Sequence, residues 1–325
     1  MTEAQAGTRD TPGPDASRPL LILAADHRSS LERDLYGLTA APTPEQAAWI
    51  SADKMLIYQA LLDAVPELPP SAQPGILIDE QYGAAIAELA ARTGGAVSLA
   101  MPVEASGEQW FRHAYDDWQV HAGFFATDYA KIAIRDHPGL EPGQRAAQAD
   151  RLATVSDWAA ANDRALIVEL LVPASAADLA AAGGAAASYD ATLRPERTVQ
   201  VIEFLQDHGV VPAVWGVEGL DQHDDAVAIA AAARRGGRAA GCIVLGQQAS
   251  EDRLNHWLQV AAPIPGFTGF AIGRSIWWHP LHARMHHRST AGGARRRIGS
   301  AYLDFARYFL DARDGTLPVQ YEPET

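Results

Sequence analysis

Cysteine, lysine and long apolar runs are what this chain has least of. Its 325 residues include one cysteine, Cys242, which excludes an internal disulfide and fits a reducing compartment. No apolar stretch reaches the length of a membrane span. The first 17 residues lack the apolar core of a signal peptide and read as a flexible tail. No Gly-x-Gly-x-x-Gly turn follows the first apolar run, which argues against a dinucleotide-binding open sheet. Excess positive charge is absent too. A formal charge of −14 with a pI near 5.2 argues against nucleic acid or an anionic membrane as partner. The expected setting is the cytoplasm and the expected partner a small molecule, for which a local basic pocket accepting a phosphorylated metabolite is compatible. A homo-oligomer stays open.

Of the 26 cationic side chains only two are lysines, Lys54 and Lys131. Lys131 lies in Tyr129-Ala130-Lys131-Ile132-Ala133-Ile134-Arg135, where branched apolar residues alternate with Lys, Ala and Arg at the period of a strand. If helices cover the isoleucine face, the other face carries an amine and a guanidinium into whatever the sheet encloses. A lysine among apolar neighbours is expected to lose proton affinity and become nucleophilic. A structural ion pair with Glu169, from the similarly apolar segment ALIVELL, is the competing account.

Eight short apolar runs punctuate the chain at 20–25, 75–79, 96–101, 129–135, 165–171, 212–218, 241–246 and 267–273. Amphipathic stretches separate them, at roughly 44–64, 82–93, 107–122, 143–161, 195–208, 222–235 and 250–261, with a last one near 293–311. Strand alternating with helix eight times predicts a single α/β domain over 18–312, a (β/α)8 TIM barrel, with 313–325 as a C-terminal tail. No internal linker or low-complexity tract divides it.

Chemistry in such barrels collects at the C-terminal ends of the strands. Those ends carry Asp26-His27-Arg28, Asp79-Glu80-Gln81, Glu104, Lys131 with Arg135, Glu169, Glu218, Gln247-Gln248 and Arg274-Ser275. Lys131 is the candidate amine or electrostatic catalyst, and Glu169, Asp26 and Glu218 are the candidate proton shuttles. The turns LGQQAS and GFAIGRS offer Gly246, Gln247, Gly273, Arg274 and Ser275 to an anion at the last two strands. Arg135 and Arg28 are further candidates for holding an anionic group. The cluster His279, His282, His286 and His287 reads as a solvated surface and not as a metal site. The scheme requires neither metal nor organic cofactor.

The segments LAADHRSSLERDLYG, ILIDEQYGA, MPVEASG, KIAIRDHPG, VELLVPAS, LRPE, VWGVEGLD, GCIVLG and GFAIGRSIWW occur in order over residues 20–312. Together they resemble the aldolase-like domain associated with 5-dehydro-2-deoxygluconokinase in inositol catabolism. More distantly they resemble tagatose-1,6-bisphosphate aldolase and other class I, Schiff-base barrel aldolases. The resemblance implies a TIM barrel, a lyase reaction on a phosphorylated keto-sugar such as 2-deoxy-5-keto-gluconate 6-phosphate, an acidic group at Glu169 and a phosphate-binding arginine at Arg274.

Two departures from that pattern stand out. The sixth strand of the related domains carries Trp-Lys-(Ile/Leu)-Glu, whose lysine resembles the imine former, whereas this chain reads Trp215-Gly216-Val217-Glu218. Where relatives end the seventh strand Leu-Gly-Arg-Gly, this chain has Leu245-Gly246-Gln247-Gln248. Three functional readings follow: Lys131 replaces the lost amine as Schiff-base former; Lys131, Glu169 and Glu218 do acid–base work without a covalent intermediate, as in an isomerase or dehydratase; or the protein binds a sugar phosphate without turnover.

Overall fold

Eight parallel strands close on themselves in sequence order, each followed by helix. The structure, a computed structural model, describes residues 18–92, 95–247 and 249–317. The strands are β1 (Leu20–Ala24), β2 (Gln73–Leu77), β3 (Ser98–Pro102), β4 (Tyr129–Arg135), β5 (Ala165–Leu171), β6 (Val214–Val217), β7 (Gly241–Leu245) and β8 (Phe267–Ile272). The helices are α1 (Ser29–Asp34), α2 (Pro44–Ala64), α3 (Glu80–Ala91), α4 (Trp118–Phe124), α5 (Pro142–Ala161), α6 (Ala176–Ala181), α7 (Ala186–Thr192), α8 (Arg194–Asp207), α9 (His223–Ala233), α10 (Glu251–Ala261), α11 (Arg274–Met285) and α12 (Ala291–Asp314). The fold is the (β/α)8 TIM barrel expected from the pattern.

Alternation along each strand sorts side chains into two cores. Leu20, Ile22, Leu77, Ala100, Tyr129, Ile167, Val214 and Ile243 fill the inside of the barrel. Leu21, Leu23, Ile132, Ile134, Val168, Leu170, Trp215 and Phe270 face out and are covered by helices. Lys131, one alternation above Tyr129, therefore points inward and upward, into the mouth at the C-terminal ends. The seam between β8 and β1 closes through Gly269, whose φ of +155° and contact with the Leu20 carbonyl leave no room for a Cβ.

The helical expectation over 107–122 is corrected. Glu104 and His113 form an antiparallel bridge, so 104–113 is a hairpin rising from β3, and helix begins only at Trp118. Gly107, at φ +82°, makes the turn that an amphipathic pattern does not reveal. The last helix runs to Asp314, two residues past the expected domain limit, and ends in a left-handed Gly315 cap. The tail expected at 1–17 and residues 318–325 of the tail expected at 313–325 lie outside the described residues, as does Gln248. Among the described residues, no helix is long and apolar enough to cross a membrane.

Candidate active site

β4 and β5 pair in register, Lys131 opposite Ile167 and Ala133 opposite Glu169. On its other side Glu169 pairs with Gly216 of β6, and Lys131 pairs with Pro102 of β3. Lys131 and Glu169 thus face inward from adjacent strands, Glu169 two residues further up, while Asp26 and Glu104 follow the ends of β1 and β3. Lys131 Nζ lies 2.8 Å from Asp26 Oδ2, 3.0 Å from Glu104 Oε1 and 3.0 Å from Glu169 Oε2. The ammonium donates hydrogen bonds to Asp26 and Glu104 and forms an ion pair with Glu169. The lysine side chain is 3% exposed and the carboxylates are between 8% and 15%.

Burial alone would discharge the amine, but the charges of Asp26, Glu104 and Glu169 outweigh it and hold its pKa well above the ordinary lysine value. The expected fall in proton affinity is therefore corrected. Its premise of purely apolar neighbours fails, because only the strand's own flanks are apolar. The lysine is an ammonium throughout the physiological range.

The carboxylates share that charge unequally. Burial pushes Glu169 up to about 7 against the pull of Lys131, with Asp26 adding like-charge repulsion. Glu104 is also raised, chiefly by burial, while Lys131 and Arg28 pull the other way. Asp26 is desolvated too, yet Lys131, His27 and Arg28 hold it well below the usual carboxylate range. Full ionisation would leave three negative charges against Lys131 and Arg28, so one carboxyl resists losing its proton, and Glu169 carries most of that resistance.

The loop after β1 braces the cluster. Arg28 Nη2 donates to the Glu104 carbonyl at 2.8 Å and lies 3.9 Å from its Oε1. Lys54, the other lysine, is buried in α2, where it pairs with Asp79 and donates to the His27 carbonyl at 2.8 Å. Burial lowers its pKa. His27 sits 3.9 Å from Asp26 Oδ1 and edge-on to Trp277, and burial pulls it down to about 4, so it is a neutral imidazole at pH 7. Above the cluster, the 104–113 hairpin is pinned on one side by Ser106 to Ser29 (2.9 Å) and on the other by Arg135 to the Glu108 carbonyl (3.4 Å). Among the described residues, Glu104 Oε2 is buried without a hydrogen-bond partner.

Other expected site residues are engaged elsewhere. Glu218 does not join the Lys131 cluster: its oxygens accept from Gln247 Nε2 (2.7 Å) and Val172 N–H (2.8 Å), and Arg194 lies 3.4 Å away. Arg274 turns along α11 toward α1, donating to Asp34 at 2.8 Å and packing over the Trp278 ring. Ser275 Oγ donates to the Ala249 carbonyl, and the Gly246 N–H is spent on Ala271 O. A Cβ on Gly273 would overlap the Ala24 carbonyl, so only backbone fits there. Among the histidines, the His282 and His286 rings lie 4.3 Å apart, and Arg288 lies 3.0 Å from His282 Nδ1. Glu104 and Lys54 were legible as strand-end acid and rare lysine, but nothing in their local pattern announced their partners.

A family model described as "Uncharacterized protein conserved in bacteria (DUF2090)" matches residues 8–313. The chain belongs to this family. No curated protein matches the sequence. Among solved structures, this DUF2090 barrel is similar to fructose-bisphosphate aldolase from Plasmodium falciparum, determined as a ternary complex with TRAP and a small-molecule inhibitor. The TM-score is 0.63 over 93% of this chain and 91% of that one, at 14% identity. Such a likeness establishes a shared fold, the TIM barrel. The DUF2090 side chains carry the functional argument themselves.

At Gly216, where the resemblance implies a lysine, the inward space is already taken. A Cβ on Gly216 would lie 2.9 Å from Leu245 Cδ2 and 3.0 Å from Glu169 Cγ. The glycine lets Glu169 and Leu245 close over the strand, and Glu169 gains its approach to Lys131.

Proposed function

We propose that the barrel mouth catalyses proton transfer next to a carbonyl group, in an aldolase-like carbon–carbon lyase reaction that passes through an enolate and not an imine. The observation that carries this reading is the Lys131 ammonium held within 3.0 Å of three carboxylates, one of them Glu169, which burial pushes up to about 7. Imine formation needs a neutral amine with an open face, and Lys131 offers neither. General acid–base catalysis works best with a group titrating near the working pH, which describes Glu169.

In the cleavage direction, the Glu169 carboxylate takes the proton of a substrate hydroxyl. The carbon–carbon bond breaks, its electron pair moves onto the carbonyl oxygen, and an aldehyde or ketone departs. Protonated Glu169 holds Lys131 less strongly, which frees one ammonium hydrogen for the oxygen on which charge has developed. Glu169 then returns the proton to the enolate carbon. Asp26 stays ionised throughout and keeps Lys131 charged. Glu104 Oε2 is an acceptor for a second substrate hydroxyl. Resemblance to the aldolase-like domain associated with 5-dehydro-2-deoxygluconokinase supports a keto-sugar as the substrate type.

Exchange of carbon-bound hydrogen with D2O, followed by NMR over a panel of hydroxy-ketones and hydroxy-aldehydes, tests the reading. Exchange that Glu169→Gln abolishes, with no borohydride-trapped adduct on either lysine, is expected. A substrate-dependent adduct at Lys131 would overturn it.

A further inference from the structure

The buried cations around the mouth are matched by acceptors, and Arg135, exposed at the rim, reaches the Glu108 carbonyl at 3.4 Å. Lys131 holds three carboxylates, and Arg28 is bound to Glu104 through both its carbonyl and its carboxylate. Arg194, 3% exposed, donates to the Gly219 carbonyl at 2.8 Å and pairs with Asp190 and Glu218. Lys54 is buried against Asp79. Gln247, at the end of β7, gives Glu218 a neutral amide. At the end of β8 stands Arg274, buried, whose guanidinium is drawn away to Asp34 at 2.8 Å and the Ser30 carbonyl at 3.4 Å. Asp34 is exposed on α1 and is held below the usual carboxylate range by hydrogen bonds from Arg274 and then Arg33.

A dianionic phosphate entering this mouth meets Asp26, Glu104, Glu169 and Glu218. Below the solvated rim, where Arg135 stands, it must either strip one of them from its cation or remain unneutralised. Desolvating a phosphate without a free cation is strongly unfavourable. An uncharged hydroxy-carbonyl compound meets the opposite circumstance: carboxylate acceptors, the free Glu104 Oε2 and an ammonium donor suit hydroxyls and a carbonyl oxygen.

We infer that the site takes an uncharged hydroxy-carbonyl compound in preference to its phosphate ester, and that Asp34 is a specificity-determining residue that withholds Arg274 from substrate. The inference rests on the acid–base reading for its chemistry, but its test reads binding and does not need turnover.

The measurement is isothermal titration of the purified full chain with inorganic phosphate, alongside the Asp34→Asn variant and the Asp34→Asn/Arg274→Gln pair. Wild type is expected to bind phosphate at least tenfold more weakly than folded Asp34→Asn, and the added Arg274→Gln is expected to remove the gain. Phosphate binding by wild type that Arg274→Gln or Arg135→Gln abolishes overturns the inference, as does an Asp34→Asn variant with unchanged phosphate affinity. If Asp34→Asn does not fold, a paired substrate screen decides: each carbonyl compound is offered with its phosphate ester in the D2O exchange assay. Exchange confined to the uncharged members supports the inference, and exchange confined to the esters refutes it. Failure of Glu169→Gln to abolish exchange removes the acid–base reading alone and leaves the binding result standing.

Discussion

Glu169 Oε2 reaches back to within 3.0 Å of Lys131 Nζ although the two residues are staggered along neighbouring strands, Glu169 being paired with Ala133. Both the small Ala133 and the absent side chain at Gly216 make that reach sterically available. The pair, with Asp26, Glu104 and Arg28, forms a cluster of three carboxyls and two cations, balanced to within one unit of charge.

Removing the ammonium should cost more than removing a surface ion pair. In Lys131→Met three buried carboxylates lose their common cation, a class of change worth about 3–5 kcal/mol. Their folded-state pKa values then rise above the unfolded ones. A carboxyl with a raised folded pKa stabilises at low pH and loses that contribution as pH rises. The variant should therefore gain stability when acidified from neutrality toward pH 5, which urea unfolding at several pH values measures.

Glu169 in the wild type obeys the same sign. Its folded pKa of about 7 exceeds the ordinary 4.5, so the contribution of its protonated form is complete below about 4.5 and is lost as pH rises through 7. Asp26 acts oppositely: its contribution is present above 3.8 and is lost as pH falls below that value. Glu169→Gln should flatten the stability slope between pH 4.5 and 7 and leave the acid limb in place. Activity that needs ionised Glu169 should rise through a midpoint near 7.

Gly216→Ala should destabilise by about 1–3 kcal/mol, the cost of overpacking an interior that has closed around the glycine. The displaced side chain is Glu169, so the pH midpoint of activity should move as well. A variant that loses stability while keeping that midpoint would contradict the packing argument.

The Lys54–Asp79 pair is predicted to be structural, holding the loop that carries Asp26 and Arg28 through the His27 carbonyl. Lys54→Met and Asp79→Leu should each destabilise by about 3–5 kcal/mol, and the double variant by clearly less than their sum. Denaturation of all four proteins completes the cycle.

The barrel was legible because the strand signal was strong where it mattered: β4 and β5 fall on the expected residues, their faces set by isoleucine and valine alternation. The inward direction of Lys131 and its pairing with Glu169 followed from the same alternation. What sequence patterning did not give was the cluster's third carboxylate. Glu104 reaches Lys131 because a hairpin bends it inward, and 107–122 had the spacing of a helix. Pairing of residues 112–114 with 103–105, just beyond β3, overrode that local preference. Helices α6, α7 and α11 were also missed, the first two being short and alanine-rich, the third interrupted by Pro280. The reversal of the Lys131 titration has the same origin, since a charge's environment is assembled from four strands and not from its own.

Asp26 and Lys131 are 105 residues apart in the chain, and their neighbours in the cluster come from two further strands. A half-wound intermediate that shelters the lysine without all of its carboxylates would bear an unbalanced ion in a dry interior. Such species are disfavoured, so the charge cluster acts as a checkpoint on ring completion and sharpens the cooperativity with which the molecule assembles.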